Sequence, residues 1–325
     1  MAQNTAQNMT QSPHPELLEF GAFLAERLTG DLAGIFEAFA GASVTLRDSI
    51  ESAPLLGLLG KTGATNVQQE ATAKLDDIAN GIFCDALRLP QVARLISEEE
   101  PEPIEVGAGA YTCCFDPLDG SSNIGVSSVG SILGVYTDVA SGALGESAIT
   151  GRQMAAAAFV VYGLPTVLIF ATADRADGFT YDPSDRTWRL TFPAIRIPEA
   201  AYTSINWAYR SRWPARVASA VDSASEGLRG RYSGSMVEDV LRVLLAGGVF
   251  LYPEDSALPA GKLRMLYEIC PVGMVMEAAG GAASNGTGPV LDVPVTAPHQ
   301  RGPFIAGASD AVERYVHAYA LGDGR

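Results

Sequence analysis

The run Phe115-Asp116-Pro117-Leu118-Asp119-Gly120-Ser121-Ser122-Asn123 constrains this chain more than any other stretch of its sequence. Pro117 fixes one φ angle and removes a backbone donor between two carboxylates, which excludes the interior of a helix. Gly120 can adopt a positive φ, and successive N–H groups in such a turn can point toward one anion. The run therefore predicts a loop that joins a cation site to a phosphate site, which indicates metal-assisted phosphoryl chemistry.

Length, charge and cysteine content narrow the class of protein. The chain has 325 residues, of which 47% are hydrophobic, so it can form one or two domains with a large core. Its formal net charge is −15, and no basic stripe is visible, which argues against a nucleic-acid partner. The four cysteines have no CxxC spacing, and we find neither a signal peptide nor an apolar stretch of membrane-spanning length. We therefore expect a soluble cytoplasmic protein with buried, reduced thiols and no membrane partner.

The periodicity of apolar residues predicts the order of helices and strands. Helices are predicted over 15–52, with a break at Thr29-Gly30, and over 71–89, 214–223, 236–245 and 271–279. Strands are predicted at 113–115, 131–137, 155–162, 166–171, 178–181, 188–192, 203–207 and 248–251. Residues 53–71 are rich in Gly, Thr, Asn and Gln and predict a loop. The predicted fold class is α/β with mixed sheets, and a boundary near Phe192 gives two units, 12–192 and 193–325.

Three other acidic segments could converge on the aspartate run: Ser97-Glu98-Glu99-Glu100, Lys74-Leu75-Asp76-Asp77 and Tyr267-Glu268. Each is weak evidence by itself, because an acidic run is usually a solvated face. Two carboxylates about 4 Å apart repel by roughly 4 kcal/mol at an effective dielectric constant near 20, so a cluster would require cations. Hard oxygen ligands favour Mg²⁺ or Mn²⁺.

In this order, the segments of the chain resemble class I fructose-1,6-bisphosphatase, within the wider inositol-phosphatase-like superfamily of metal-dependent sugar phosphatases. The bare D-P-x-D-G-S/T pattern is only moderately specific, but FDPLDGSSNI followed by GSMV, KLR and LYE is a strong signal. The matching segments are Asn66-Val67-Gln68, Lys74-Leu75-Asp76, Ser97-Glu98-Glu99, 115–124, Ser128-Val129-Gly130, Ser204-Ile205-Asn206, Arg231-Tyr232, Gly234-Ser235-Met236-Val237, Phe250-Leu251-Tyr252-Pro253, 261–264, Leu266-Tyr267-Glu268, Glu277 and Ala279-Gly280-Gly281. The resemblance implies a layered αβαβα fold with the active site between two packed halves.

The resemblance also implies a role for each candidate residue. The implied metal ligands, for two or three Mg²⁺ or Mn²⁺ ions per subunit, are Glu98, Asp116, Asp119, Glu268, the Leu118 carbonyl and Glu70. Asp76 and Glu99 would orient and deprotonate the attacking water, and Gly120, Ser121 and Ser122 would hold the 1-phosphate. The 6-phosphate would be bound by Asn206, Tyr209, Tyr232, Tyr252 and Lys262, and by Arg231 from a neighbouring subunit of a homotetramer. Lys262 and Arg264 would also contact the sugar or its 1-phosphate.

Without the resemblance, five of these residues have simpler interpretations. Tyr232 and Tyr252 would be core tyrosines, Lys262 and Arg264 would be surface charges, and Glu268 would cap or pair at a helix start. The several matching segments favour the functional interpretation.

The implied reaction is hydrolysis of the 1-phosphate of D-fructose 1,6-bisphosphate, a small-molecule sugar bisphosphate, in gluconeogenesis or the Calvin cycle. Three alternatives stay open. The first is sedoheptulose-1,7-bisphosphatase activity, alone or in addition. The second is a 3′-nucleotide or inositol phosphatase, which would not need the tyrosine and lysine set. The third is a non-catalytic sugar-phosphate sensor, which the loss of a metal carboxylate would favour, whereas every expected carboxylate is present.

AMP is expected to inhibit this protein weakly or not at all. The family's AMP pocket uses a Lys and an Arg to grip the nucleotide phosphate, and these positions are Ala110 and Thr137 here. Each lost charged hydrogen bond is worth about 1.5–3 kcal/mol. Titration of AMP into a phosphate-release assay tests this expectation, and an inhibition constant in the low micromolar range would contradict it.

Overall fold

The computed structural model describes residues 17–58, 61–65, 71–137 and 148–322. Its helices are α1 Phe20–Arg27, α2 Gly30–Leu56, α3 Lys74–Ala86, α4 Ala215–Ser225, α5 Met236–Ala246, α6 Cys270–Ala278 and α7 Ser309–Leu321. Its strands are β1 Lys61–Thr65, β2 Ala71–Ala73, β3 Val92–Ser97, β4 Ile104–Glu105, β5 Tyr111–Asp119, β6 Val129–Thr137, β7 Met154–Tyr162, β8 Val167–Thr172, β9 Arg175–Asp182, β10 Thr187–Phe192, β11 Tyr202–Ser204, β12 Arg229–Gly230, β13 Gly248–Tyr252, β14 Leu263–Arg264, β15 Ala282–Ser284, β16 Arg301–Gly302 and β17 Phe304–Gly307. A π-helical turn covers Met265–Ile269.

The first sheet has eight strands in the order β10-β9-β8-β7-β6-β5-β3-β4. All of its neighbouring strands are antiparallel except β3 and β5, which are parallel. Because the carboxyl ends of parallel strands meet at the same edge of a sheet, the residues that follow β3 lie beside the end of β5. The second sheet has five strands in the order β12-β11-β13-β17-β15, and its pairings are also mixed.

Five layers of secondary structure pack around three apolar clusters. The first packs α1, α2 and α3 on one face of the eight-stranded sheet. The second fills the space between the two sheets, around α5 and α6, and the third packs α4 and α7 on the outer face of the second sheet. Since the first sheet is buried on both faces, its strands are almost continuously apolar, as in Met154–Tyr162. The predicted α/β class with a layered αβαβα fold is confirmed.

Eight predicted elements agree with the structure within two residues at each end. The helix predicted from residue 15 begins only at Phe20, the strands predicted at 113–115 and 178–181 are longer (Tyr111–Asp119 and Arg175–Asp182), and residues 53–71 differ from the predicted loop. This stretch is not all loop, because α2 continues to Leu56 and β1 pairs with β2. Pro54 is tolerated in the last turn of α2, where Gly57 ends the helix in the left-handed region at a φ of 66° and donates its N–H to the Ala53 carbonyl. The predicted helix 71–89 accordingly begins only at Lys74, after β2.

Another strand is shorter than predicted. Residues 203–207 do not all extend, because Asn206 begins a 3₁₀ turn over Trp207–Arg212 and its Oδ1 accepts a hydrogen bond from Ala208 N. The four cysteines are buried free thiols, as the sequence predicts. In the described ranges, the structure contains no helix that is both long and apolar enough to cross a membrane. The division into 12–192 and 193–325 stays a prediction.

Two glycine substitutions should change stability in opposite directions. A Cβ on Gly130 of β6 would lie 2.1 Å from Val160 O and 2.6 Å from Val237 Cγ2, whereas a Cβ on exposed Gly81 of α3 meets no described atom within 4 Å. We expect Gly130→Ala to lower the free energy of unfolding by about 1–3 kcal/mol or more. Gly81→Ala should raise it by about 0.5–1 kcal/mol, since glycine weakens a helix interior. Denaturant titration at one protein concentration measures both, and equal effects would contradict the packing described here.

Candidate active site

The aspartate run is the end of a strand rather than a free loop, which corrects the sequence-based prediction. Strand β5 includes Asp116 and Asp119, whose partners on β6 are Ile132 and Gly130. Three steps on one strand therefore match two on the other, which is a β-bulge. Pro117 suits this position because a bulge leaves one residue outside the ladder, and its carbonyl accepts a hydrogen bond from Ser131 Oγ at 2.7 Å. The bulge turns both aspartates toward the same site.

Three carboxylates meet at this bulge. Oxygens of Asp116, Asp119 and Glu268 lie within 4.8 Å of one another, and all three residues are buried. Backbone N–H groups fix each of them: Leu118 N donates to Asp116 Oδ1 at 2.9 Å, Val237 N to Asp119 Oδ2 at 2.9 Å, and Arg264 N to Glu268 Oε2 at 2.5 Å. Glu268 reaches the cluster because the π-helical turn places it there from the second half of the chain.

Burial is the main reason why the acidic cluster carries perturbed pKa values. It raises the pKa of Asp116 and Glu268, with nearby Glu98 adding repulsion in both cases. Burial also raises the pKa of Asp119, while the bond from Val237 N opposes the rise. Arg264 compensates part of this charge: its Nη2 lies 2.5 Å from Glu98 Oε1 and its Nη1 lies 3.6 Å from Glu268 Oε2. An all-oxygen, buried and charge-rich donor set of this kind fits a hard divalent cation.

A second acidic group borders the cluster. Glu98 and Glu99 follow directly after β3, and Glu98 N continues the parallel ladder by donating to Phe115 O at 3.1 Å. Buried Asp76 lies in the first turn of α3. Burial, together with repulsion from Glu98 and Asp76, raises the pKa of Glu99 to about 8. Asp76 and Glu99 therefore line the same cavity as the carboxylate cluster. Their role in activating water stays a prediction.

The Gly-Ser-Ser-Asn segment turns sharply after β5. Gly120 has a φ of 79°, and a Cβ there would lie 2.9 Å from Ser235 Oγ, so only glycine fits. Residues Ser121–Asn123 form a 3₁₀ turn, closed by Asn123 N donating to Gly120 O at 2.8 Å. The turn lies next to the N-terminus of α5, where the helix dipole favours an anion.

These features surround one cavity of about 350 Å³. The predicted site residues that line it are Asp76, Glu98, Glu99, Asp116, Leu118, Asp119, Gly120, Ser121, Ser122, Tyr209, Tyr232, Tyr252, Lys262, Arg264 and Glu268. Tyr209, Tyr232, Tyr252 and Lys262 form a tyrosine-lysine wall of this cavity. Burial raises the pKa of Tyr232 to about 12. Nearby Tyr252 and Tyr209 also raise this pKa, whereas a hydrogen bond with Asn206 lowers it. The cavity therefore combines acidic groups with a donor-rich wall of three neutral tyrosines and one lysine.

Two predicted residues lie outside this cavity. Asn206 lines a smaller adjoining cavity, which it shares with Tyr209, Tyr252 and Lys262. Arg231 is exposed outside the main cavity, with its guanidinium 5.7 Å from the Tyr202 ring and its Nη1 donating to Gly230 O. Glu70 lies outside the described residues.

Sequence reasoning missed several residues that line the cavity. They are Asn123, Gly234, Met236, Asp239, Phe250 and Leu263. Asp239 is fully buried, and both of its carboxylate oxygens accept from Ser233 N at 3.1 Å. Asn123 and Met236 fall inside segments that carried the resemblance, so those motifs were the available signal. Asp239 follows GSMV on the next turn of the helix and gave no separate signal.

The five layers and the acidic cavity between the sheets define a phosphatase of the layered αβαβα type. Models of a family described as fructose-1-6-bisphosphatase match residues 21–193 with its N-terminal domain and 197–320 with its C-terminal domain. The chain belongs to the class 1 fructose-1,6-bisphosphatase family.

Individual relatives agree with this assignment. The chain is 39% identical over 288 residues to fructose-1,6-bisphosphatase class 1 2 of Acaryochloris marina, covering 84% of this chain and 87% of the relative. It is 41% identical over 287 residues to the cytosolic fructose-1,6-bisphosphatase of Saccharum hybrid, covering 84% and 83%. The crystal structure of Leishmania major fructose-1,6-bisphosphatase in holo form has a TM-score of 0.89 at 33% identity, covering 94% of this chain and 100% of that chain.

Divalent cations should stabilise the folded protein through the carboxylate cluster. At about 100 times its dissociation constant, a cation that binds only the folded state adds about 2.7 kcal/mol. We expect Mg²⁺ or Mn²⁺ to raise the melting temperature of the wild type, and Asp116→Asn to lose most of that rise. Asp222→Asn is the matched control, because Asp222 is an exposed partner of Arg210. Equal cation-dependent rises in both variants would contradict the site.

Proposed function

We propose that this protein hydrolyses the 1-phosphate of D-fructose 1,6-bisphosphate, releasing fructose 6-phosphate and phosphate, in a reaction that depends on Mg²⁺ or Mn²⁺. One observation carries the proposal: a single cavity joins the buried Asp116, Asp119 and Glu268 cluster, the glycine-serine turn and the tyrosine-lysine wall. Such a cavity offers separate binding groups to the two ends of a sugar bisphosphate. The names of the relatives support the same substrate.

The carboxylates of Glu98, Asp116, Asp119 and Glu268, with the Leu118 carbonyl, would hold two or three cations, and Glu70 would contribute to a third. Bound there, divalent cations stabilise negative charge on the phosphoryl oxygens and on the leaving alkoxide. The residues themselves contribute fixed geometry, because backbone N–H groups hold the two aspartates and Glu268 before any substrate arrives.

The glycine-serine turn and the second acidic pair act on the reacting phosphate. Backbone N–H groups and hydroxyls of Gly120, Ser121 and Ser122 bind the 1-phosphate oxygens. Asp76 orients the attacking water, and Glu99 takes up its proton as the general base. Attack occurs in line with the departing sugar oxygen, as phosphoryl transfer requires.

The tyrosine-lysine wall holds the other end of the substrate. Tyr209, Tyr232 and Tyr252 supply neutral donors and Lys262 supplies a positive charge for the 6-phosphate, with Asn206 in the adjoining cavity. Arg264 contacts the sugar or the 1-phosphate from within the acidic group. We also propose a homotetramer in which exposed Arg231 reaches a neighbouring subunit's 6-phosphate site, and a cytoplasmic location, which the name of the Saccharum relative supports.

Turnover should require both the metal carboxylates and a divalent cation. We expect phosphate release from fructose 1,6-bisphosphate with Mg²⁺ and none after chelation, and we expect Asp119→Ala and Glu98→Ala to abolish turnover because each removes a cation ligand. Circular dichroism and the melting temperature report whether each variant is folded. Glu313→Ala, on the exposed side of α7, is the matched control with unchanged activity.

Parallel assays test the rival substrates. A higher kcat/KM for sedoheptulose 1,7-bisphosphate, a 3′-nucleotide or an inositol phosphate would replace the proposed substrate. Substantial activity in folded Asp119→Ala or Glu98→Ala would reject the assigned metal roles.

A further inference from the structure

Residues 120–128 connect β5 to β6 and include the turn that begins at Gly120. We propose that Glu238, the third residue of α5, is a positioning residue. Its hydrogen bonds hold this connection against the N-terminus of α5 and thereby fix the phosphate-binding turn. The inference rests on the proposed function, because that function assigns phosphate binding to Gly120, Ser121 and Ser122.

The local sequence of α5 predicts a different role for Glu238. Ser235 and Glu238 have the S-x-x-E spacing of a capping box, in which the two side chains bond the helix's own N-terminus. Within the described residues, however, Ser235 makes no side-chain capping bond. Asp119 takes over from β5, because its Oδ2 accepts the hydrogen bond from Val237 N at 2.9 Å. The N–H that Glu238 would accept from in a capping box, that of Ser235, donates instead to Ser233 Oγ at 3.1 Å, so Glu238 can bond outside its helix.

Glu238 bonds the far end of the connection instead. Its Oε2 accepts from Ser127 Oγ at 2.6 Å and from Ser128 N at 3.2 Å. Its Oε1 lies 3.2 Å from Arg242 Nη2, one turn along the same helix, and this ion pair restricts the side chain's orientation. Only 23% of the Glu238 side chain is exposed, so its hydrogen bonds compete little with water.

The connection is therefore held against α5 at three points. Asp119 is bonded at its start, Gly120 packs directly on Ser235, and Ser127 with Ser128 is bonded at its end. Between these points its residues are half-buried or exposed and lie outside the sheet ladder. If the end were released, the turn would have to be ordered when substrate binds, and that cost would appear in KM rather than in the chemical step.

Hydrogen exchange and steady-state kinetics together test whether the hydrogen bonds of Glu238 position the connection. Glu238→Ala should speed amide exchange within 120–128 in the ligand-free protein and raise KM for fructose 1,6-bisphosphate about tenfold, with kcat changed by less than about threefold. Glu238→Gln should have a smaller effect than Glu238→Ala, because the amide oxygen can accept the same two hydrogen bonds although the ion pair with Arg242 is lost. Ser127→Ala should have a smaller effect in the same direction, and adding it to Glu238→Ala should have no further effect. Glu313→Ala is the control for loss of a helix carboxylate.

Each outcome supports or contradicts the positioning role of Glu238. Unchanged exchange in 120–128, unchanged KM, or equal damage from Glu238→Gln and Glu238→Ala would overturn it. If Glu238→Ala does not fold, Ser127→Ala and Glu238→Gln carry the same comparison. Failure of the wild type to hydrolyse the bisphosphate would instead refute the proposed function, while the exchange rates would still report whether Glu238 holds the connection.

Discussion

Repulsion between buried carboxylates is the constraint on which this active site depends. Asp116, Asp119 and Glu268 have oxygens within 4.8 Å of one another, where two full charges repel by about 3.5 kcal/mol at an effective dielectric constant near 20. The fold holds them there through backbone N–H bonds, and the guanidinium of Arg264 lies 3.6 Å from Glu268 Oε2. The same charges that destabilise the folded protein are the ligands that a divalent cation prefers. The site therefore trades stability for function, as buried polar groups in active sites commonly do.

The two sheets contribute different functional groups to the cavity. The site therefore depends on the relative position of the sheets as well as on the residues that each sheet supplies. The bulged end of β5 and the residues after β3 supply the acidic groups, while Tyr252 at the end of β13 supplies part of the tyrosine-lysine wall. One apolar cluster packs both sheets around α5 and α6, with Ile132 and Phe159 on one side and Phe250 and Phe304 on the other. A close-packed apolar core of this kind resists deformation. Packing of the helix layer therefore fixes the position of the acidic groups relative to the tyrosine-lysine wall.

Much of this arrangement could be predicted from the sequence, because apolar periodicity indicates the helices and strands and the motif segments indicate the site residues. Helix α5 begins at the predicted Met236, and the motif segments bring nearly all their expected side chains to one cavity. Local patterns failed where tertiary contacts override them. The bulge that places Asp116 and Asp119 on a strand depends on pairing with β6. The helical end at Gly57 is different, because a left-handed glycine cap is a local signal that the sequence-based prediction did not use. Asp239 reaches the cavity through burial that no local spacing reveals.

The N-terminus of α5 shows how such an override serves the site. A helix leaves its first N–H groups unpaired, and its own Ser235 and Glu238 have the spacing to satisfy them. The fold instead gives the N–H of Val237 to Asp119, so one hydrogen bond both caps the helix and fixes a candidate metal ligand. That bond also opposes the rise in the pKa of Asp119 and favours its ionised form. Because the helix is capped by a residue of the other half of the chain, the same hydrogen bond couples the N-terminus of α5 to the acidic cluster.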